Sequence, residues 1–402
     1  MYRHVTVPTN VDSFFIMQIN MPEGRYRLRR DIAADELLES IAKGVLELDD
    51  RIMEHARILV NWSTRVERGE MVLVRAPPNA HDLVVAISAE VASKGASCMV
   101  SMDSDEITKA YLENADDETI SLYPRHYARA MSECDVIITV MAPLDSMTLS
   151  SVNPEKIIAR SRTRRPLLDM MMEKRWCDTV HPCEALAKQA NMTLEEYRDF
   201  VYDSILIDWE EASREMSVIR DRLSKHREIR IVGQDTDLSA KTSGRVWAVA
   251  NGRNNMPCGE VYISPVETAV EGKIWFDIPF LYQGTVIGDV RLRFERGEVV
   301  DYAASKGEHT LKAIIGTDEG AKRLGEIAFG MNKGITRYTM NVGFDEKMRG
   351  TIHCALGKAL KECNGSNESA IHVDIIKNMQ TGEVIAGDEV IYKDGRFFNE
   401  LG

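Results

Sequence analysis

The chain has no apolar run long enough to span a bilayer, for which about 18 residues are needed; the longest, near Val136 to Leu144, is strand-sized. No membrane partner is expected. Basic charge is also in short supply: 50 Lys and Arg stand against 63 Asp and Glu, a net charge of −13. Nucleic acid, whose phosphates call for basic stripes, is therefore not expected as a partner. The seven cysteines (Cys98, Cys134, Cys177, Cys183, Cys258, Cys354 and Cys363) are odd in number and hold no CxxC pair. They frame neither a disulfide network nor a structural zinc site, and they are expected to be free thiols. No GxGxxG follows the first predicted strand, so no nucleotide cofactor is inferred. Met1 to Val5 lead into no signal-like apolar core, which gives a cytoplasmic expectation. Low-complexity segments and internal repeats are lacking as well.

What is present suffices for two ordinary cores: 402 residues, 44% of them apolar. Residues 1–33 read as an N-terminal arm carrying the basic island Gly24 to Arg30. From Asp35 to Trp62 the residues Leu38, Ile41, Val45, Leu48, Ile52 and Ala56 recur at threes and fours, which predicts an amphipathic helix. A strand at Met71–Val74, a helix over Ala80–Lys94 and strands at Cys98–Val100 and Asp135–Val140 make a β-α-β alternation. That pattern predicts a doubly wound parallel sheet. The basic cluster Ser161 to Pro166 reads as a solvated helix end. Thr193-Leu194-Glu195-Glu196 opens a capping box, and helical spacing from Leu194 through Trp209 to Leu223 predicts one long helix of about thirty residues. Strands follow at Arg230–Gly233, Val246–Ala248 and Ile274–Phe276, with a hairpin at Val290–Phe294 turning over Glu295-Arg296-Gly297-Glu298. The expected fold class is α/β: an N-terminal doubly wound parallel α/β domain over residues 34–227, then a β-rich α+β domain over 228–402.

The stretch from Leu324 to Lys377 gathers metal-ligand side chains in apolar, glycine-rich sequence. His372 and Asp374 sit two apart in the run Ala370 to Ile376, so a strand puts both on one face and valine and isoleucine on the other. His353, after Thr351-Ile352, also reads as a strand residue. Far upstream, the Pro257-Cys258-Gly259 turn delivers Glu260 onto a strand. A buried His-x-Asp alone is more often a hydrogen-bonded core pair. The sum is different, because burying Glu260, Glu326, Glu346 and Asp374 together is costly unless cations neutralise them. Four carboxylates carry −4, which two divalent ions would cancel. Cys354 beside His353 is not read as a nucleophile, since neighbours on a strand point to opposite faces.

The C-terminal half closely resembles the aminopeptidase T family of metallopeptidases. Matching segments run in order from Asp235-Thr236-Asp237-Leu238 through Asn255 to Val261, Thr317 to Ala321, Leu324-Gly325-Glu326, Asp345-Glu346-Lys347 and Gly350-Thr351-Ile352-His353 to Asn367 to Asp374. The resemblance implies that Glu260, Glu326, Glu346, His353, His372 and Asp374 hold the metal, making 228–402 a metal-binding catalytic domain. It implies one or two divalent ions (Mn, Co, Zn or Fe), Glu326 as the catalytic carboxylate, and a homodimer that removes N-terminal residues from short peptides by metal-activated water. One position departs: where the family has a tyrosine beside the metals, this chain has Leu360. Two alternatives keep the site and change the chemistry. One is an aminohydrolase of a small aromatic amine such as a nitroanthranilate; the other is an Fe(II) ring-cleaving dioxygenase related to 2,5-dihydroxypyridine dioxygenase. In the latter the Glu326 position is histidine, so Glu326 argues for hydrolysis. A metal-binding scaffold without turnover is the non-enzyme reading.

Overall fold

A computed structural model describes residues 49–145 and 147–398. The N-terminal arm, its basic island and the first part of the predicted first helix lie outside the described residues. The remainder of that helix is α-helical over Asp50–Arg57 and continues as a π-helix over Ile58–Ser63.

The first part of the chain is the expected parallel sheet. β1 (Met71–Ala76), β2 (Ser97–Met102), β3 (Val136–Met141) and β4 (Arg175–Val180) lie in the order β2-β1-β3-β4, all parallel. β1 and β3 are nearly continuous apolar runs because helices cover both of their faces. The helix α1 (His81–Ser93) makes the crossover from β1 to β2, burying Leu83, Ala86, Ile87 and Val91. The cluster Ser161 to Pro166 is solvated as expected, but it lies inside α2 (Pro154–Met172) rather than at a helix end. Pro166 is tolerated there because it is exposed, so water can reach the carbonyl left without an N–H partner.

The predicted thirty-residue helix is two helices, α3 (Leu194–Ile205) and α4 (Trp209–Leu223). The backbone leaves the helix at Leu206, and Asp208 caps the next one by accepting from Glu211 N at 2.9 Å. Trp209 Nε1 donates to Ile205 O at 2.8 Å across the break. The apolar spacing runs on through it because both helices bury the same side, so periodicity alone could not show the interruption.

Beyond Glu228 the strands form two antiparallel sheets. Nine strands drawn from residues 228–306 and 383–397 make the larger one. It includes the expected hairpin, Thr285–Glu295 paired with Glu298–Lys306, whose turn puts Arg296 and Gly297 at φ 51° and 80°, the signature of a tight two-residue loop. The smaller sheet has five strands: β5 (Ala248–Ala250), β6 (Glu260–Ile263), β7 (Leu324–Gly330), β8 (Thr351–Gly357) and β9 (His372–Asn378), in the order β9-β8-β7-β6-β5. β5 begins two residues later than predicted, with Trp247 buried just before it.

Alternation along these strands makes the two faces of the small sheet different. Val261, Ile263, Ile327, Phe329, Ile352, Cys354, Val373 and Ile375 share one core with Ile229, Ile231, Leu238, Ile274 and Phe276 of the large sheet. The residues between them, Glu260, Glu326, His353, His372 and Asp374, therefore project from the opposite face. The segment just before β6 is also tied to the parallel sheet, since Asn255 and Met256 pair with Asp178 and Thr179 of β4.

Gly330, opposite Glu260 in the ladder, lets the segment after the short helix α5 (Val342–Asp345) cross the end of β7. A Cβ at Gly330 would stand 2.1 Å from Met348 O, a backbone atom with no rotamer to escape into. Gly330→Ala should therefore cost about 1 to 3 kcal/mol of stability by forcing the backbone apart. A denaturant midpoint equal to that of the parent protein would show that this close approach is not required.

Candidate metal centre

Four strands and one helix end bring the six predicted residues together. β6 begins at Glu260, β7 carries Glu326, β8 carries His353, and β9 carries His372 and Asp374. Glu346 is the cap residue that ends α5. His353 Nε2 lies 3.4 Å from Glu260 Oε2, 3.7 Å from Glu326 Oε1 and 3.9 Å from Asp374 Oδ1. His372 Nε2 lies 3.1 Å from Glu326 Oε2 and 3.6 Å from Asp374 Oδ1. Three groups offer a ligand atom apiece within 4.8 Å of one another: Glu260, Glu326 and His353; Glu326, His372 and Asp374; Glu346, His353 and Asp374.

Both imidazoles are oriented by main chain. His353 Nδ1 donates to Glu346 O at 3.1 Å, and His372 Nδ1 donates to Lys358 O at 2.8 Å. A carbonyl can only accept, so each Nδ1 carries hydrogen and each Nε2 is turned toward the carboxylates. A metal-ligating histidine is held in this way. The fit to cations goes further, because Glu260 Oε2 and Asp374 Oδ1 are buried and accept no hydrogen bond among the described residues. Buried carboxylate oxygens facing imidazole nitrogens need a proton or a metal between them.

The surrounding loops hold this geometry. Asp318 accepts from Ala321 N, Ala370 N and Ser369 Oγ at 2.7 to 2.8 Å, clamping the chain just ahead of His372. Asn367 Nδ2 donates to Gly320 O and Gly357 O from the same side. Asp345 is not among the ligand groups. It accepts from Thr339 N and Oγ1 at 2.8 and 2.9 Å, and burial pushes its carboxyl up to about 6. Leu360 leads the short turn after β8, its N–H donating to Ser264 Oγ at 2.9 Å. Tyr262, two residues beyond Glu260 on the same face, donates its hydroxyl to Glu362 at 3.3 Å. Cys354 points into the core, and the seven thiols are free.

One residue was missed by the sequence reading. Lys347 is buried, with Nζ 2.6 Å from Glu260 Oε1 and 2.7 Å from Glu346 Oε1. It changes the charge count, since four carboxylates and one ammonium sum to −4 + 1 = −3 rather than −4. Two divalent ions then overshoot neutrality by one charge. The sequence held a signal, a lysine directly after a ligand glutamate, but adjacent residues of a helix do not face one way. They do here because the helix ends at Glu346.

The profile of the thermophilic metalloprotease (M29) family matches residues 48–397. The chain belongs to this family. Aminopeptidase 2 of Geobacillus stearothermophilus is 27% identical over 396 residues, 85% of this chain and 94% of that protein. Aminopeptidase T of Thermus thermophilus is 28% identical over 389 residues, with the same two coverages. The solved structure of wild-type AmpT from Thermus thermophilus superposes with a TM-score of 0.75 at 26% identity, covering 87% of this chain and 99% of that one. M29 membership makes the protein a metal-dependent hydrolase with divalent ions as cofactor, and the AmpT likeness agrees with the mixed fold described above.

In the metal-free chain, protons do part of the ions' work. Burial pulls His353 down, but Glu326, Glu346, Glu260 and Asp374 outweigh it and hold the imidazole up to about 9. His372 is likewise pulled down by burial yet held up to about 11 by Asp374 and Glu326. Burial pushes Glu346 up to about 8 against the pull of Lys347. Burial would raise Asp374 too, but His372 and His353 hold it well below the usual carboxylate range. Groups that bind protons more tightly when folded lend stability that is full below their unfolded pKa, about 6.5 for an imidazole, and fades as pH rises through the folded value. Glu346 acts in the same direction above its ordinary 4.5. Metal-free protein in chelator should melt at lower temperature as pH rises from about 6 to about 10. Added divalent ion should stabilise more at the upper end, where it no longer competes with those protons. A melting temperature flat across this range would contradict the proton-filled site.

Proposed function

We propose that the protein is an aminopeptidase that removes N-terminal residues from short peptides, with Glu260, Glu326, Glu346, His353, His372 and Asp374 holding one or two divalent ions (Mn, Co, Zn or Fe). The supporting observation is that two imidazoles, each fixed through Nδ1 by a backbone carbonyl, turn Nε2 onto carboxylates of which Glu260 Oε2 and Asp374 Oδ1 are buried and accept no hydrogen bond among the described residues. The named relatives are aminopeptidases, and neither an aminohydrolase nor a dioxygenase finds support among them. Bound ions would supply Lewis-acid polarisation of the scissile carbonyl and a water of lowered pKa.

The chain's own groups do the remaining work. Glu326 belongs to two of the three ligand groups, as Asp374 does, but approaches both histidines more closely, which makes it the carboxylate best placed to take a proton from water and pass it to the leaving amine. Asp374 and Glu260 flank it and keep His372 and His353 in register. His372 is the exposed member, its side chain 29% accessible against 1% for His353, so substrate approaches from its side. Tyr262 is the hydroxyl on this face that we assign to the donor position left empty by Leu360. All six ligand candidates fall within 228–402, which we take as the catalytic domain, with 34–227 as the α/β domain. We take the working form to be a cytoplasmic homodimer.

Chelation should abolish release of amino acids from short peptides, and one of the four metals should restore it. Glu326→Gln should lower kcat by about a hundredfold or more. Tyr262→Phe should lower kcat by about tenfold or more, with KM little changed, as loss of a transition-state donor does. N-acetylated peptides should resist cleavage. Full turnover after metal removal, or equal cleavage of acetylated and free peptides, would refute the assignment.

A further inference from the structure

Lys347 is the cation already present among these acids. Its ammonium takes one oxygen from Glu260 and one from Glu346, at 2.6 and 2.7 Å, and so turns Glu260 Oε2 toward His353 Nε2 at 3.4 Å. Its backbone is fixed as well: Lys347 O accepts from Asn332 N at 2.9 Å, and Asn332 Nδ2 donates to Cys258 O and Ser204 O. The side chain is thus built into the site.

Its placement is one-sided. Its two ion pairs are to Glu260 and Glu346, which belong to the two ligand groups that share His353. The group formed by Glu326, His372 and Asp374 contains neither partner.

We propose that Lys347 is a resident counter-cation: in the metal-free protein it stands in for metal charge, and in the loaded protein it makes the position bordered by Glu260 and Glu346 the weaker of two. The first half rests on the ion pairs alone, and the second rests on the metal-dependent reading above. An ion held on the His353 side, by Glu260 or by Glu346, would share a ligand with the ammonium, and like charges on one carboxylate repel strongly inside a protein. An ion held by Glu326, His372 and Asp374 shares no ligand with it. Loading is therefore sequential, with the His372 side filled first.

The test is Lys347→Met, followed through metal-free melting temperature and through Co(II) titration by calorimetry. Loss of the ammonium should lower the metal-free melting temperature, because two buried carboxylates lose their partner. It should at the same time tighten the weaker Co(II) event by about tenfold or more, leaving the tighter one within about threefold. A lysine with a merely structural role would also destabilise the metal-free chain on replacement, but it would weaken both ions instead of tightening one. The double variant Lys347→Met with Glu260→Gln should recover part of the lost metal-free melting temperature, since it removes one of the two orphaned charges. If the single variant does not fold, a folded double variant supports the proposal and an unfolded one overturns it. An unchanged metal-free melting temperature, or weakened binding of both ions, also overturns it. Wild-type protein that binds no Co(II) would refute the aminopeptidase reading and the sequential loading, while the metal-free melting temperatures still decide the counter-cation role.

Discussion

Carboxylates do not share a buried surface unless something positive stands among them. Glu260, Glu326 and Asp374 project from a sheet face whose reverse is packed into a continuous apolar core, and Glu346 meets them from the end of α5. Breaking a buried ion pair by deleting one partner costs about 3 to 5 kcal/mol, a large fraction of the stability of any domain. The chain answers with graded positive charge: Lys347 fixed in place, His353 and His372 able to carry protons, and a remainder that divalent ions would satisfy. Cation binding and folding of this region are therefore two aspects of one balance.

The sheet serves that balance through its alternation. A strand has two faces, so the residues that lock the small sheet onto the large one also fix where the ligands project. His353 is placed by Ile352 and Cys354 on either side of it, and Asp374 by Val373 and Ile375. A one-residue slip in β8 would turn His353 into the apolar core, and one in β9 would turn His372 and Asp374 there, so the register is specified in both strands. The loop clamps at Asp318 and Asn367 extend the same control to the start of β9, where His372 would otherwise stand at a free strand end.

The faces of the strands were legible because period-two alternation is written directly in the residues, and His372 and Asp374 share one face of β9 as that alternation predicts; the set of six came from the family resemblance, and Glu346 joins it from a helix end. The parallel sheet was legible for the related reason that its strands are short apolar runs bounded by turns. Three features were not. The break at Leu206 left the apolar rhythm intact, Pro166 was tolerated by exposure that sequence does not display, and Lys347 faces its partners only because a helix stops at Glu346. Each is decided by where an element ends or which side meets water, and both come from tertiary packing rather than from local pattern.

That limit bears on how the site works. Segments such as Thr317 to Ala321 and Asn367 to Ala370 contain no ligand candidate, yet they stand among the stretches that carry the family resemblance. Asp318, Ser369 and Asn367 explain this: they bond to backbone around the ends of β8 and β9 and so set the distance between Lys358, whose carbonyl orients His372, and His372 itself. His372 is the most exposed of the six, the one with least packing to hold its ring. The buried His353 needs only its strand and the Glu346 carbonyl. The two imidazoles thus reach equivalent orientation by different means, one through core packing and one through a hydrogen-bonded loop, and it is the loop-held one that is open to solvent.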